Sequence, residues 1–204
     1  MKAVLISIQP KWCELIASGK KTVEVRKTRP KIDTPFKVYI YCTANKQGVN
    51  DLLEIHGTDG KIRKANGKVI GEFVCDRISV IDAKNLHDYC QGCEAAFIDD
   101  LSPCDYSLEK IPEIGISSYE LSTYIRDKDG YEWHISDLVI YDKPKELSEF
   151  YNRCYSGCDN CEYQSWDYSY AGGKDLICTC RNEKPLTRPP QSWCYVERSD
   201  NNAE

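Results

Sequence analysis

Four apolar segments rich in β-branched residues predict buried β-strands, and a single short helical pattern separates the first of them from the rest. The strand-like segments are KAVLISI, FKVYIYC, KVIGEFVCDRISV and YEWHISDLVIY, at residues 2–8, 36–42, 68–80 and 131–141. The segment KTVEVRK at 21–27 alternates in the same way. With so little helix between strands, we expect an α+β fold built on a small mixed β-barrel with short helices.

The helical pattern begins at Pro10, which suits the first turn of a helix, and ends near Gly19. We expect a long surface loop at 45–67, an irregular insertion at about 82–117, a short helix at 118–127 and a turn at 142–145. The predicted organisation is a barrel domain at 1–150 followed by an irregular Cys-rich C-terminal appendage at 151–204.

Composition and charge indicate where the protein is located and what kind of ligand it binds. The 204 residues contain no apolar run of the roughly 20 residues that a spanning helix needs, and the N-terminus lacks a secretory pattern. We therefore expect a cytoplasmic protein that does not contact membranes. The net charge is −5, but residues 1–31 carry +6 and the remainder −11. A local basic surface on an acidic body indicates a site for an anionic ligand.

The strand–helix–strand order with Pro10 and Trp12, the run GKKTVEVRK at 19–27 and the later GKVIGEFVCD strand resembles the ASCH family of the PUA-like β-barrel superfamily. The whole chain, including its RPPQSWCYVE segment, is similar to phage and prophage ASCH-domain proteins.

This resemblance implies binding of RNA or a nucleotide in a basic cleft, with DNA as a further partner. The residues expected to bind nucleic acid are Lys20, Lys21, Glu24, Arg26, Lys27, Trp133 and His134. Arg26 offers a planar fork for phosphate or a base edge, and Glu24 shares its strand face. Trp12, Tyr131 and Trp133 are candidates for base stacking wherever they are exposed to the cleft.

Two enzymatic alternatives use the same cleft. The acetylcytidine amidohydrolases of the superfamily carry G-x-K-T-x-T-x-R, in which the Lys and the second Thr are catalytic. Lys21 matches that Lys, but Glu24 occupies the nucleophilic Thr position, and a carboxylate does not readily replace a hydroxyl nucleophile. In a ribonuclease-like alternative, Lys21, Glu24 and His134 supply acid–base chemistry. A third hypothesis is a phage-encoded adaptor that binds protein through its Cys-rich segment.

Five cysteines in the C-terminal segment have the spacing C-x3-C-x2-C-x16-C-x-C, which is typical of a structural zinc site. Four ligands suffice, and we favour Cys158, Cys161, Cys178 and Cys180, with Cys154 as the alternate. Reduced thiols, disulfides and an iron–sulfur cluster are the alternatives. A weaker second cluster consists of His87, Cys90, Cys93 and Cys104.

Overall fold

The computed structural model describes residues 3–44, 53–82, 111–126, 128–152, 164–167, 175–178 and 185–198, with the backbone alone at 118, 164–167 and 175–178. Seven of the described strands form one sheet in the order β2-β7-β6-β3-β1-β11-β8. Their bounds are β1 Ala3–Ile8, β2 Val23–Arg26, β3 Phe36–Cys42, β6 Val69–Ile81, β7 Gly130–Lys145, β8 Phe150–Asn152 and β11 Trp193–Arg198. β1 and β3 run parallel, and the other neighbours in this sheet pair antiparallel.

Two short hairpins and two helices complete the described structure. One hairpin joins β4 Glu54–His56 to β5 Ile62–Lys64, and the other joins β9 Gln164–Asp167 to β10 Asp175–Cys178. The helices are α1 Pro10–Ala17 and α2 Ser118–Ile125, and a 3-10 turn covers Leu147–Glu149. Pro10 begins α1, as predicted, whereas a capping box between Ser117 and Glu120 begins α2.

β1 is buried because both of its faces are covered by core side chains. All six of its residues are buried, which explains a continuous apolar run in place of an alternating one. Val4, Ile6 and Ile8 join one core cluster, and Ala3 and Leu5 join another on the opposite face. A third cluster packs α2 against β2 and the end of β6.

The predicted barrel is wrong: the sheet is open. Closure requires hydrogen bonds between the two edge strands. Among the described strands, β2 pairs only with β7 and β8 only with β11, so the two edges do not meet; β8 has one further bridge, from Tyr151 to Pro185.

Three local predictions also change. The region 45–67, predicted as a loop, contains the β4–β5 hairpin. The predicted turn at 142–145 is the end of β7, which continues past Pro144 to Lys145. The pairing of β7 with β6 shifts register near this end, between Val69 and Gly71 of β6. Residues 193–198, assigned to the C-terminal segment, form β11 of the main sheet between β1 and β8.

Among the described residues, no helix has the length and apolar character to cross a membrane.

Candidate functional site

The junction between α1 and β2, together with β2 itself, supplies three charged side chains to one cleft. After α1, Gly19 takes a φ of +70°, and the Lys21 amide donates to the Leu15 carbonyl at 3.0 Å. Successive side chains of β2 point to opposite faces of the sheet, so Glu24 and Arg26 share a face. This is the same face as that of Trp133, the partner of Glu24 across the β2–β7 pair.

Glu24 bridges the two cations. Its Oε2 lies 3.3 Å from Lys21 Nζ, and its Oε1 lies 3.0 Å from Arg26 Nη2. The three residues are only 4%, 6% and 7% exposed. Charges this deeply buried need partners, because desolvation costs several kcal/mol per ion.

Two backbone carbonyls complete the network. Lys21 Nζ donates to the Ile114 carbonyl at 2.6 Å, and Arg26 Nη2 donates to the Ser7 carbonyl at 2.7 Å. Arg26 Nε is buried without a hydrogen-bond partner among the described residues. The Ile114 carbonyl belongs to a turn that docks on the start of β2, where the amides of Thr22 and Val23 both donate to the Glu113 carbonyl.

The network lies at the wall of a cleft of about 660 Å³, within the usual range for small-ligand sites. Trp12 from α1 and Tyr124 from α2 supply aromatic surface, and Pro189, Pro190 and Gln191 form a further wall just before β11. That wall is tied to β1, since Ser7 Oγ donates to the Pro190 carbonyl at 2.7 Å.

The formal charges of the side chains that line the cleft sum to zero. Lys21 and Arg26 are matched by Glu24 and Glu120, so the described lining has no net charge, in contrast to the basic cleft that the sequence predicts. Burial raises the pKa of Tyr124, with Arg26 acting in the opposite direction and Glu24 in the same direction as burial. The Tyr124 hydroxyl therefore stays protonated at neutral pH. The cleft offers aromatic faces together with donors and acceptors.

The structure brings together three of the seven residues predicted to bind nucleic acid: Lys21, Glu24 and Arg26 all line the cleft. Lys20 and Lys27 are exposed outside its lining, and Lys27 Nζ lies 4.9 Å from the centre of the Tyr124 ring.

Trp133 and His134 lie elsewhere. Trp133 is fully buried against Phe36 and Trp193, with ring centres 5.8 and 6.1 Å away, so it presents no face for stacking. His134 Nδ1 lies 2.6 Å from Asp76 Oδ1 and is not part of the cleft lining. Alternation along β7 places His134 on the sheet face opposite to Trp133 and therefore opposite to Glu24.

Sequence reasoning missed Tyr124, Glu120, the Ile114 carbonyl and the Pro189–Gln191 wall. Tyr124 and Glu120 lie on a helix that was predicted, but only tertiary packing carries them to β2. The RPPQ motif carries no local signal that this segment returns to β1.

The predicted zinc ligands fall largely outside the described residues. This holds for Cys154, Cys158, Cys161 and Cys180, while Cys178 ends β10 with only its backbone described. His87, Cys90, Cys93 and Cys104 also lie outside. In the part of the chain that is described, no group of three His, Cys, Asp or Glu residues is arranged to hold a metal ion. Zinc therefore remains a prediction.

The family model of the ASCH domain matches residues 6–145, more than two thirds of the chain and all of the Lys21–Glu24–Arg26 network. The chain belongs to the ASCH domain family. ASCH domains have a PUA-like fold that is generally linked to RNA binding. The Pro189–Gln191 wall lies beyond the matched residues.

Similar solved structures include the ASCH protein of Zymomonas mobilis, with 20% identity and a TM-score of 0.45, covering 72% of this chain and 74% of that one. A tyrosine-to-phenylalanine variant of that protein matches with 19% identity and a TM-score of 0.43, covering 72% and 77%. No curated protein matches the chain.

Proposed function

We propose that the cleft binds RNA or a nucleotide, taking one base against its aromatic walls and reading the edge of that base with Arg26 and Glu24. The single observation that carries this proposal is the buried Lys21–Glu24–Arg26 network beside Trp12 and Tyr124 in one cleft. Membership of a family generally linked to RNA binding supports it.

The hydrogen-bonding capacity of the network suits a base edge. Arg26 uses Nη2 for Glu24 and the Ser7 carbonyl, while Nη1 has no hydrogen-bond partner among the described residues. Each Glu24 oxygen contacts one cation and retains a lone pair for a ligand amino group. A nucleobase presents such donors and acceptors in one plane.

The balanced charge argues for recognition of a base more than for capture of phosphates inside the cleft. Stacking on an aromatic side chain contributes about 1–3 kcal/mol per base. Trp12 and Tyr124 are both available for it, since each is partly exposed and lines the cleft.

Fluorescence anisotropy with short labelled RNA tests the proposal. We expect Tyr124→Ala and Trp12→Ala each to weaken binding about 5- to 100-fold, as lost stacking requires. Tyr119→Ala is the matched control, because Tyr119 lies on the same helix, is 54% exposed and does not line the cleft. Equal affinities for all three variants and the parent protein contradict the proposal.

Hydrolysis of a modified nucleoside or RNA at the same cleft is the second candidate, favoured by the 3.3 Å contact between Lys21 and Glu24. Two features weigh against it. Thr22, the hydroxyl nearest in sequence to the expected nucleophile, is not in the cleft lining, and neither is His134. Product formation that disappears in both Lys21→Met and Glu24→Gln, while both variants still fold, supports turnover.

A further inference from the structure

Two aromatic residues of the cleft each hold an exposed lysine against their ring. Lys11 Nζ lies 4.2 Å from the centre of the Trp12 ring, and Lys27 Nζ lies 4.9 Å from that of Tyr124. Both distances are within the range of a cation–π contact. The two lysines come from different elements, α1 and the residue after β2, and each lies against a different ring that lines the cleft without itself being part of the lining. We call this position the cleft rim.

These lysines are not paired with a carboxylate in the described part of the chain. Lys11 and Lys27 are exposed and form no salt bridge with any described residue, whereas Lys21 and Arg26 inside the cleft share Glu24. The uncompensated positive charge associated with the cleft therefore lies at its rim. Lys20 and Arg29 are also exposed, but neither has a described contact with a residue that lines the cleft.

We propose that the ligand is a single-stranded nucleic acid that extends beyond the cleft, with one base inside and its flanking phosphates neutralised by Lys11 and Lys27. This rests on the proposed function and adds the class of partner. A ring that stacks a base on one face and holds an ammonium near it serves both parts of a nucleotide chain.

A single strand fits better than a duplex or a free nucleotide. A base within a duplex is stacked and paired, and it reaches a cleft only after unpairing. A mononucleotide carries its phosphate on one side of the base, whereas a strand carries one on each side and can contact both lysines.

The test compares a seven-nucleotide strand with a mononucleotide for the parent protein, the double variant Lys11→Gln/Lys27→Gln, and Lys64→Gln. Lys64 is an exposed lysine on β5 that does not line the cleft, so it controls for loss of charge. Anisotropy gives strand affinity from 0.05 to 0.4 M salt, and calorimetry gives mononucleotide affinity. RNA and DNA strands of one sequence reveal which sugar is preferred.

Each single-strand phosphate contact contributes about 0.7 to the slope of log K against log salt concentration. We expect the double variant to lose about 1.4 from this slope and about 25-fold in strand affinity at 0.1 M salt. Lys64→Gln should match the parent protein for both ligands, and the double variant should lose at most about fivefold in mononucleotide affinity, the contribution of one phosphate contact.

Two results overturn the inference while leaving the proposed function in place. One is a strand affinity and salt slope unchanged in the double variant when the mononucleotide binds. The other is equally tight binding of a duplex of the same sequence. Failure of the parent protein to bind either strand or mononucleotide overturns both.

Discussion

Lys21 and Glu24 form an ion pair almost wholly removed from water, with 3.3 Å between Nζ and Oε2. They are three positions apart in sequence, yet this spacing alone does not explain the contact. Lys21 is held from the other side by the Ile114 carbonyl, more than ninety residues later in the chain. Glu24 is held by Arg26. The site therefore depends on contacts with distant residues as well as on the local spacing of Lys21 and Glu24.

Removal of the carboxylate should cost more stability than removal of the lysine. Glu24→Gln leaves two buried cations without a counter-ion and should lower the free energy of unfolding by about 3–5 kcal/mol. Lys21→Met leaves the Glu24–Arg26 pair intact and an unpaired Ile114 carbonyl, a loss of about 1–3 kcal/mol. Urea denaturation at pH 7 measures both, and a larger loss in Lys21→Met contradicts the counter-ion role of Glu24.

Gly115 should govern the position of Lys21. Its φ is +79°, and an added Cβ would lie 3.1 Å from Leu15 Cδ1 and 4.0 Å from Lys21 Cδ. Gly115→Ala should cost about 1–2 kcal/mol through its backbone conformation and weaken ligand binding by moving the Ile114 carbonyl.

Gly60→Ala separates these two effects. Gly60 has a φ of +73° on the β4–β5 turn, with no atom within 4 Å of an added Cβ. It should lose similar stability in thermal melts and retain full affinity for ligand. Loss of affinity in Gly60→Ala, or full affinity in Gly115→Ala, counts against the positioning role.

The ASCH sheet should depend on β11, which lies between β1 and β8. Deletion of residues 185–204 removes this strand and the buried side chains of Leu186 and Val196, each contributing about 1.5–3 kcal/mol. Circular dichroism should show loss of cooperative unfolding. Deletion of 199–204 alone keeps β11 and should leave the melting temperature unchanged; a folded 1–184 fragment argues against this role.

The His134–Asp76 pair should affect titration and not ligand binding. A hydrogen bond from His134 lowers the pKa of the Asp76 carboxyl below its usual value of about 3.8. The pair therefore contributes stability above that usual value, and the contribution is lost as the pH falls through the folded-state pKa.

NMR titration of the Asp76 carboxyl measures the effect directly. In His134→Ala the pKa should return toward its usual value, with RNA affinity unchanged because His134 lies outside the cleft. An unchanged Asp76 pKa, or a loss of RNA affinity, contradicts this account of the pair.

The C-terminal cysteines should bind one zinc ion, as their spacing predicts. Native mass spectrometry should show one zinc per chain, lost in Cys158→Ser/Cys161→Ser. Cys13→Ser is the control, because Cys13 is buried in the main core. A metal-free parent protein with reduced thiols contradicts the zinc prediction.

Local patterns predicted the parts of the fold that depend on local chemistry. β1, β3 and β6 follow from apolar β-branched runs, and α1 follows from Pro10 and its helical spacing. Alternation placed Glu24 and Arg26 on one face, which the structure confirms. These features need no knowledge of distant residues.

The remainder depends on contacts between residues far apart in the chain. β11 is a short strand after a Pro-rich segment. It pairs with β1 because its side chains are buried against the core of the sheet, and residue spacing within β11 does not predict that contact. The same holds for the 111–117 segment that supplies the Ile114 carbonyl to Lys21. The predicted stacking role of Trp133 is wrong because an aromatic residue on a strand carries no local sign of which sheet face is covered, and Trp133 is fully buried.

Photo-crosslinking tests the central claim most directly. A short RNA carrying 4-thiouridine is irradiated with the parent protein, and the crosslinked residues are identified by mass spectrometry. The account predicts crosslinks at Trp12 or Tyr124 that compete with unlabelled RNA and disappear in Arg26→Ala. Competed crosslinks confined to the β4–β5 hairpin or to the His134 face of the sheet, with none in the cleft, contradict it.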